Sequence, residues 1–97
     1  MAGRITITPE ELTTLGGEFQ NSASEIGDIL TKLEANLNAL ESSWEGATKL
    51  SFFEEFAQRK PGMQEFQNMV NVFGEQLKTI AQELQNTDET LANSLKG

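Results

Sequence analysis

Apolar residues recur every seven positions along most of this chain. Leu12, Phe19, Ile26, Leu33 and Leu40 form one series, and Leu15 and Ile29 each lie three residues after a member of it. Ser22 and Asn36 dilute that second set. Leu30, Leu37 and Trp44 form a third series, which widens the stripe to one side. A stripe this wide predicts an amphipathic helix packed in a bundle, not the narrow seam of a two-stranded coiled coil. The second half repeats the pattern. Phe56, Met63, Val70, Leu77, Leu84 and Leu91 are seven apart, and Phe52, Phe66, Phe73 and Ile80 are expected at the other core position. Leu50 and Phe53 add to the flank.

The boundaries follow from local chemistry. Residues 1–7 read as an extended arm. Thr8 is a good N-cap, Pro9 suits the first helical position, and Glu11 completes a capping box three residues after the cap. Glu10 and Glu11 also face the positive end of the helix dipole. Helix 1 is therefore placed at 8–42. The only tryptophan falls at the midpoint, in Trp44-Glu45-Gly46, where Gly46 permits a turn without a Cβ penalty and Trp44 closes the end of the core. The turn is placed at 43–46 and helix 2 at 47–95. Pro61 removes one backbone hydrogen bond and crowds the preceding turn, so a kink is expected near residues 57–62. The apolar phase survives across it, which argues for one bent helix over two elements.

The fold class is thus all-α, an antiparallel helix-turn-helix hairpin. Folding the chain at 43–46 sets residues whose numbers add up to about 89 opposite one another. Leu12 then faces Leu77, Phe19 faces Val70, Ile26 faces Met63, Leu33 faces Phe56 and Leu15 faces Phe73. Gly16 and Gly74 fall near one level, where close backbone approach is open to them.

Two features do not fit inside one hairpin. The first is an apolar flank of Leu30, Leu37, Leu50 and Phe53, which one partner helix does not cover along with the seam. Burying each of these side chains is worth about 1.5–3 kcal/mol. They are expected to form a dimer interface, giving a four-helix bundle. The second is length. Helix 1 spans roughly 50 Å at 1.5 Å per residue, and helix 2 runs on past its end. Residues 84–95 overhang, and Leu84, Asp88, Leu91 and Leu95, spaced by four, three and four, share one helical face. That segment reads as a docking element of the helix-in-groove kind, or as a terminus that packs on the arm at Ile5 and Ile7 or frays.

Composition narrows the picture. Ninety-seven residues make one small domain, and such chains usually need a staple, a metal or a partner. The chain has no cysteine and no histidine, so neither a disulfide nor a zinc site of the usual ligands is available, which leaves oligomerisation. The formal charge is −8 and the basic residues are scattered, which disfavours nucleic acid and strong binding to an anionic membrane. No cofactor is implied. No apolar run has the length of a signal peptide or a membrane span. Without histidine, cysteine or tyrosine, and with no phosphate-binding glycine loop, an enzyme is not expected.

With its two amphipathic halves around Trp44-Glu45-Gly46, the chain resembles the WXG-motif family. These are the ESAT-six-like or Esx substrates of type VII secretion. The tail strengthens the likeness. Leu84-x-x-x-Asp88-x-x-Leu91-x-x-x-Leu95 matches the Firmicute pattern at every position, and leucine stands where actinobacterial members carry tyrosine. The nearest type is therefore EsxA/YukE-like. The resemblance implies a homodimer, exported folded and without a cleaved signal peptide after cytoplasmic synthesis. It implies an export signal at Leu84, Asp88, Leu91 and Leu95, composite with Trp44 and Gly46 of the other subunit. It implies a membrane-anchored ATPase of the FtsK/SpoIIIE type as reader, and leaves room for a co-exported effector. The alternative reading is a non-exported adaptor or chaperone for larger type VII effectors.

Overall fold

The computed structural model describes the backbone of residues 7–96 and the side chains of residues 7–87. Helix α1 spans Pro9–Leu40, a 3-10 turn spans Glu41–Ser43, and helix α2 spans Ala47–Lys96. The two helices pack antiparallel as a rod of 77 × 22 × 21 Å.

The start of α1 follows its local chemistry. The Glu11 N–H donates to Thr8 Oγ1 at 3.1 Å, and the Leu12 N–H donates to the Thr8 carbonyl at 3.1 Å. At the other end, α1 tightens into the 3-10 turn at the level of the boundary expected near 42. Helix α2 is continuous through Pro61. Phe56 and Met63, half-buried on either side of the proline, hold both halves of α2 to the same surface of α1.

The line of closest approach between the helices is made of small residues. A Cβ built on Gly16 would stand 2.7 Å from the Gly74 carbonyl oxygen, and one built on Gly74 would stand 2.6 Å from the Gly16 carbonyl oxygen. Ala23 and Ala81, one heptad further along each helix, are buried with them. Gly27 lies against the Gln67 side-chain amide, and Lys60 Nζ meets Glu34 Oε2 at 2.6 Å. The numbers of these facing pairs add to between 90 and 94, close to the register read from the sequence.

The rotation of each helix differs from the expected layers. The seam runs through Gly16, Ala23, Leu30 and Leu37 on α1, and through Phe53, Lys60, Gln67, Gly74 and Ala81 on α2, all buried or half-buried. Leu12, Phe19 and Ile26, with Phe56, Met63, Val70 and Leu77, border it on one side. Leu15, Leu33 and Phe73, placed in the core by their spacing, are exposed instead. The glycines bring the backbones together, and a close approach leaves no room for bulky side chains on the line of contact.

Two glycines of α1 therefore respond oppositely to one added methyl group. Gly16→Ala forces a backbone carbonyl to move and is expected to cost about 1–3 kcal/mol, as overpacking does. Gly17→Ala meets nothing within 4 Å and is expected to stabilise by about 0.5–1 kcal/mol. Thermal unfolding followed by circular dichroism checks both signs.

Candidate functional site

Three surfaces hold the residues singled out from the sequence. The first is the turn. Trp44 is extended at φ −121°, ψ 117°, and Gly46 takes φ +106°, which only glycine adopts readily. The Gly46 carbonyl accepts from the N–H groups of Lys49 and Leu50 at 3.2 and 3.5 Å, so it starts α2. The indole of Trp44 packs at 5.7 Å from the Phe52 ring and 6.1 Å from the Phe53 ring. Its Nε1 donates to Thr48 Oγ1 at 3.3 Å. Lys49 Nζ reaches back across the bend to the Glu41 carbonyl at 2.9 Å. Trp44 is thus pinned at the tip, half-buried, with Glu45 exposed beside it.

The second surface is the tail. Helix α2 continues to Lys96. In the observed register Pro9 stands near the level of Ala81, so the last four turns of α2 have no described residue of α1 opposite them. Leu84 is half-buried. The side chains of Asp88, Leu91 and Leu95 lie outside the described residues.

The third surface is one long side of the hairpin. Leu15, Ile29, Leu33 and Leu40 project from α1, and Phe52, Phe66, Phe73 and Ile80 from α2, all exposed. Ile29 is 56% and Phe66 53% exposed, high values for such side chains. Helical phase puts both sets on the same side. Between them lies a groove of about 620 Å³ lined by Ile26, Leu30, Phe52, Phe56, Met63 and Phe66, together with Glu55, Arg59 and Gly62. The opposite side is polar. Gln20, Ser24, Gln64, Gln67 and Asn71 line it, Lys78 Nζ donates to Gln20 Oε1 at 2.6 Å, and the Lys60–Glu34 pair borders it.

The four residues expected at a dimer interface are divided by this arrangement. Leu30 lines the apolar groove. Leu37 and Phe53 are half-buried between the two helices near the turn. Leu50 stands 67% exposed beside the turn. The broad apolar surface is instead the row of Phe52, Phe66, Phe73 and Ile80 with Leu15 and Ile29, which the spacing alone assigned to the core. The signal that separates seam from surface was the placement of Gly16, Ala23, Gly74 and Ala81 in the same heptad positions as Leu30 and Phe53.

Residues 4–89, which carry Trp44-Glu45-Gly46, match the WXG100 family, proteins of 100 residues with WXG. The chain belongs to this family. It is similar to the protein YukE of Bacillus subtilis strain 168, at 31% identity over 97 residues and the full length of both chains. It is 27% identical over 90 residues to the type VII secretion system extracellular protein A of Staphylococcus aureus strain USA300, covering 93% of each. It superposes on the crystal structure of EsxB, a secreted protein of Bacillus anthracis strain Sterne, with a TM-score of 0.78 and 42% identity, covering 91% of this chain and 99% of that one. The match to the WXG100 family ends before Leu91 and Leu95, so the last half of the tail motif rests on its own pattern. Among the described residues no acidic cluster suits a metal ion, and no helix is long and apolar enough to cross a membrane.

The turn geometry makes a prediction for a WXG100 protein. A Cβ on Gly46 meets nothing within 4 Å. Gly46→Ala is nevertheless expected to lower stability by roughly 1–2 kcal/mol, because the cost lies in the backbone conformation and not in a clash. Chemical denaturation read by Trp44 fluorescence measures it.

Proposed function

We propose that this protein is exported as a folded homodimer by a type VII secretion system, through a signal made of the C-terminal helix and the Trp44/Gly46 turn of the second copy. Membership of the WXG100 family makes it a type VII secretion-related Esx protein. A homologue named as an extracellular protein of that system supports the extracellular destination. The observation that carries the signal reading is the run of α2 beyond α1. Leu84, Asp88, Leu91 and Leu95 are spaced to share one face of a helical segment that has no described residue of α1 opposite it. Leucines on such a face supply burial to a groove, and a single carboxylate fixes register by meeting a donor. The reader consistent with the family resemblance is a membrane-anchored ATPase of the FtsK/SpoIIIE type. Nothing in this function calls for catalysis.

Two copies are proposed to meet through the apolar side. A compact monomer of this size is expected to expose about 5,500 Å², whereas the hairpin exposes 7517 Å². The excess, roughly 2,000 Å², is of the size that an obligate interface removes from each partner. The aromatic and aliphatic row is what such an interface buries. A second copy offers the same row, so the contact is self-complementary by two-fold symmetry.

Leu84→Ala and Asp88→Ala are expected to leave the helical content and dimer mass unchanged and to abolish export from a host with the cognate system. Normal amounts of either variant in the culture medium would overturn the signal assignment. Retention of the unaltered protein in that host's cytosol would favour the adaptor reading. For the dimer, light scattering at micromolar concentration is expected to give twice the chain mass of 10.7 kDa, and Phe66→Asp is expected to give the mass of one chain. One-chain mass for the unaltered protein would refute the dimer.

A further inference from the structure

We infer that the Glu55–Arg59 ion pair is a register and partner-selection device within the face through which two copies of this chain associate. The inference rests on the dimer reading above. Phe52, Arg59, Phe66, Phe73 and Ile80 recur every seven residues on one side of α2. Four of the five are bulky and apolar, and the fifth is a guanidinium. Arg59 Nε donates to Glu55 Oε1 at 2.5 Å. Among the residues lining the apolar groove, Arg59 is the one cation and Glu55 the one anion.

Folding of the hairpin does not account for this placement. The Arg59 side chain is 75% exposed, and an exposed pair one helical turn apart contributes little to a helix. Three of the lysines are engaged within the hairpin. Lys60 meets Glu34, Lys78 meets Gln20, and Lys49 meets the Glu41 carbonyl, none of them in the groove. Arg59 has no bond to α1 among the described hydrogen bonds.

Association changes its surroundings. A row of apolar side chains seven residues apart docks on a copy of itself in several registers, each shifted by one heptad or about 10 Å along the rod. Those registers bury similar apolar area, so burial discriminates poorly between them. A guanidinium in the row does discriminate. It carries five N–H donors, and Glu55 satisfies only part of them. Once water is excluded, the remaining donors need acceptors from the second copy, and a carboxylate is the abundant acceptor on a chain with a net charge of −8. Registers that bury Arg59 among aliphatic side chains leave those donors unpaired and are disfavoured. A related chain that offers no acceptor at that level is rejected for the same reason. A single polar position fixes register in coiled coils in this way, at some cost in stability.

The chain has no native cysteine, so one spin label on Ser24→Cys, on the polar side, reports the register directly. In the unaltered sequence, electron–electron distance measurements on the dimer are expected to give a single distance. Arg59→Leu is expected to keep or tighten the dimer and to give two or more distances, differing by about 10 Å per heptad step along the rod. Arg59→Glu removes the donors and presents a carboxylate to the acceptors of the second copy. Its dimer is expected to weaken by about tenfold or more. A single distance in Arg59→Leu, or affinity of Arg59→Glu within about twofold of the original, would overturn the inference while leaving the dimer standing. The absence of any intermolecular distance in the unaltered sequence would overturn the dimer and the inference together. Circular dichroism confirms that each variant keeps the hairpin.

Discussion

The backbones of Gly16 and Gly74 approach so closely that neither position has room for a Cβ, and most of the molecule follows from that contact. It sets the spacing of the helices over the N-terminal half of α1. It also selects which side of each helix faces inward, because only the side carrying Gly16, Ala23, Gly74 and Ala81 closes to that distance. Small residues bury little area. Among the described residues the buried apolar side chains are accordingly Leu12, Ala23 and Ala81, with no large aromatic among them. The hairpin obtains a fixed geometry from its glycines and leaves its bulky residues outside. An apolar row that includes three phenylalanines on the outer side is the direct consequence, and it is the surface on which the proposed dimer rests.

The same contact determines the ends. With Gly16 locked opposite Gly74, the first turn of α1 stands near Ala81 and α2 runs on beyond the start of α1. At the opposite end the chain has to turn within a few residues of Leu40. The 3-10 turn and the positive φ of Gly46 accomplish this, and the Trp44, Phe52 and Phe53 rings fill the tip. Turn and tail therefore lie at opposite ends of one rod and never meet within one chain. A signal made from both needs a second copy running antiparallel to the first, which the proposed two-fold contact through the apolar side would permit.

Much of this was legible in the sequence because it is local. The cap at Thr8, the turn at Trp44-Glu45-Gly46, the two helices and the approximate register all come from spacing and short-range chemistry. The rotation of the helices about their axes was not. Each helix carries an apolar stripe wider than the partner covers, and hydropathy marks the stripe without marking its centre. Counting bulky residues placed Leu15, Leu33 and Phe73 inside and Leu30, Leu37 and Phe53 on the flank. Glycine and alanine count for little in such a reckoning, yet they decide the line of contact. Proline at 61 shows the reverse case. Its local tendency to break a helix is opposed by Phe56 and Met63, whose packing on α1 keeps both sides in phase.

The division of labour between the two long sides bears on the proposed association of so acidic a chain. On the polar side, lysines are spent within the chain, on Glu34 and on Gln20, where they tie α1 to α2 across the seam. That side is satisfied and offers a second copy little. On the apolar side, one arginine and one glutamate stand together in a greasy row, neutral as a pair and open to solvent. Like-charged hairpins repel at a distance, and the repulsion is weakest where local charge cancels. The face with cancelled charge and uncovered phenylalanines is thus the face on which approach costs least and burial gains most. Because residues beyond 81 have no α1 opposite, changes in the tail leave the Gly16–Gly74 contact and the apolar row untouched. The fold and the segment proposed to carry the export signal are physically separable, which allows one to vary without unmaking the other.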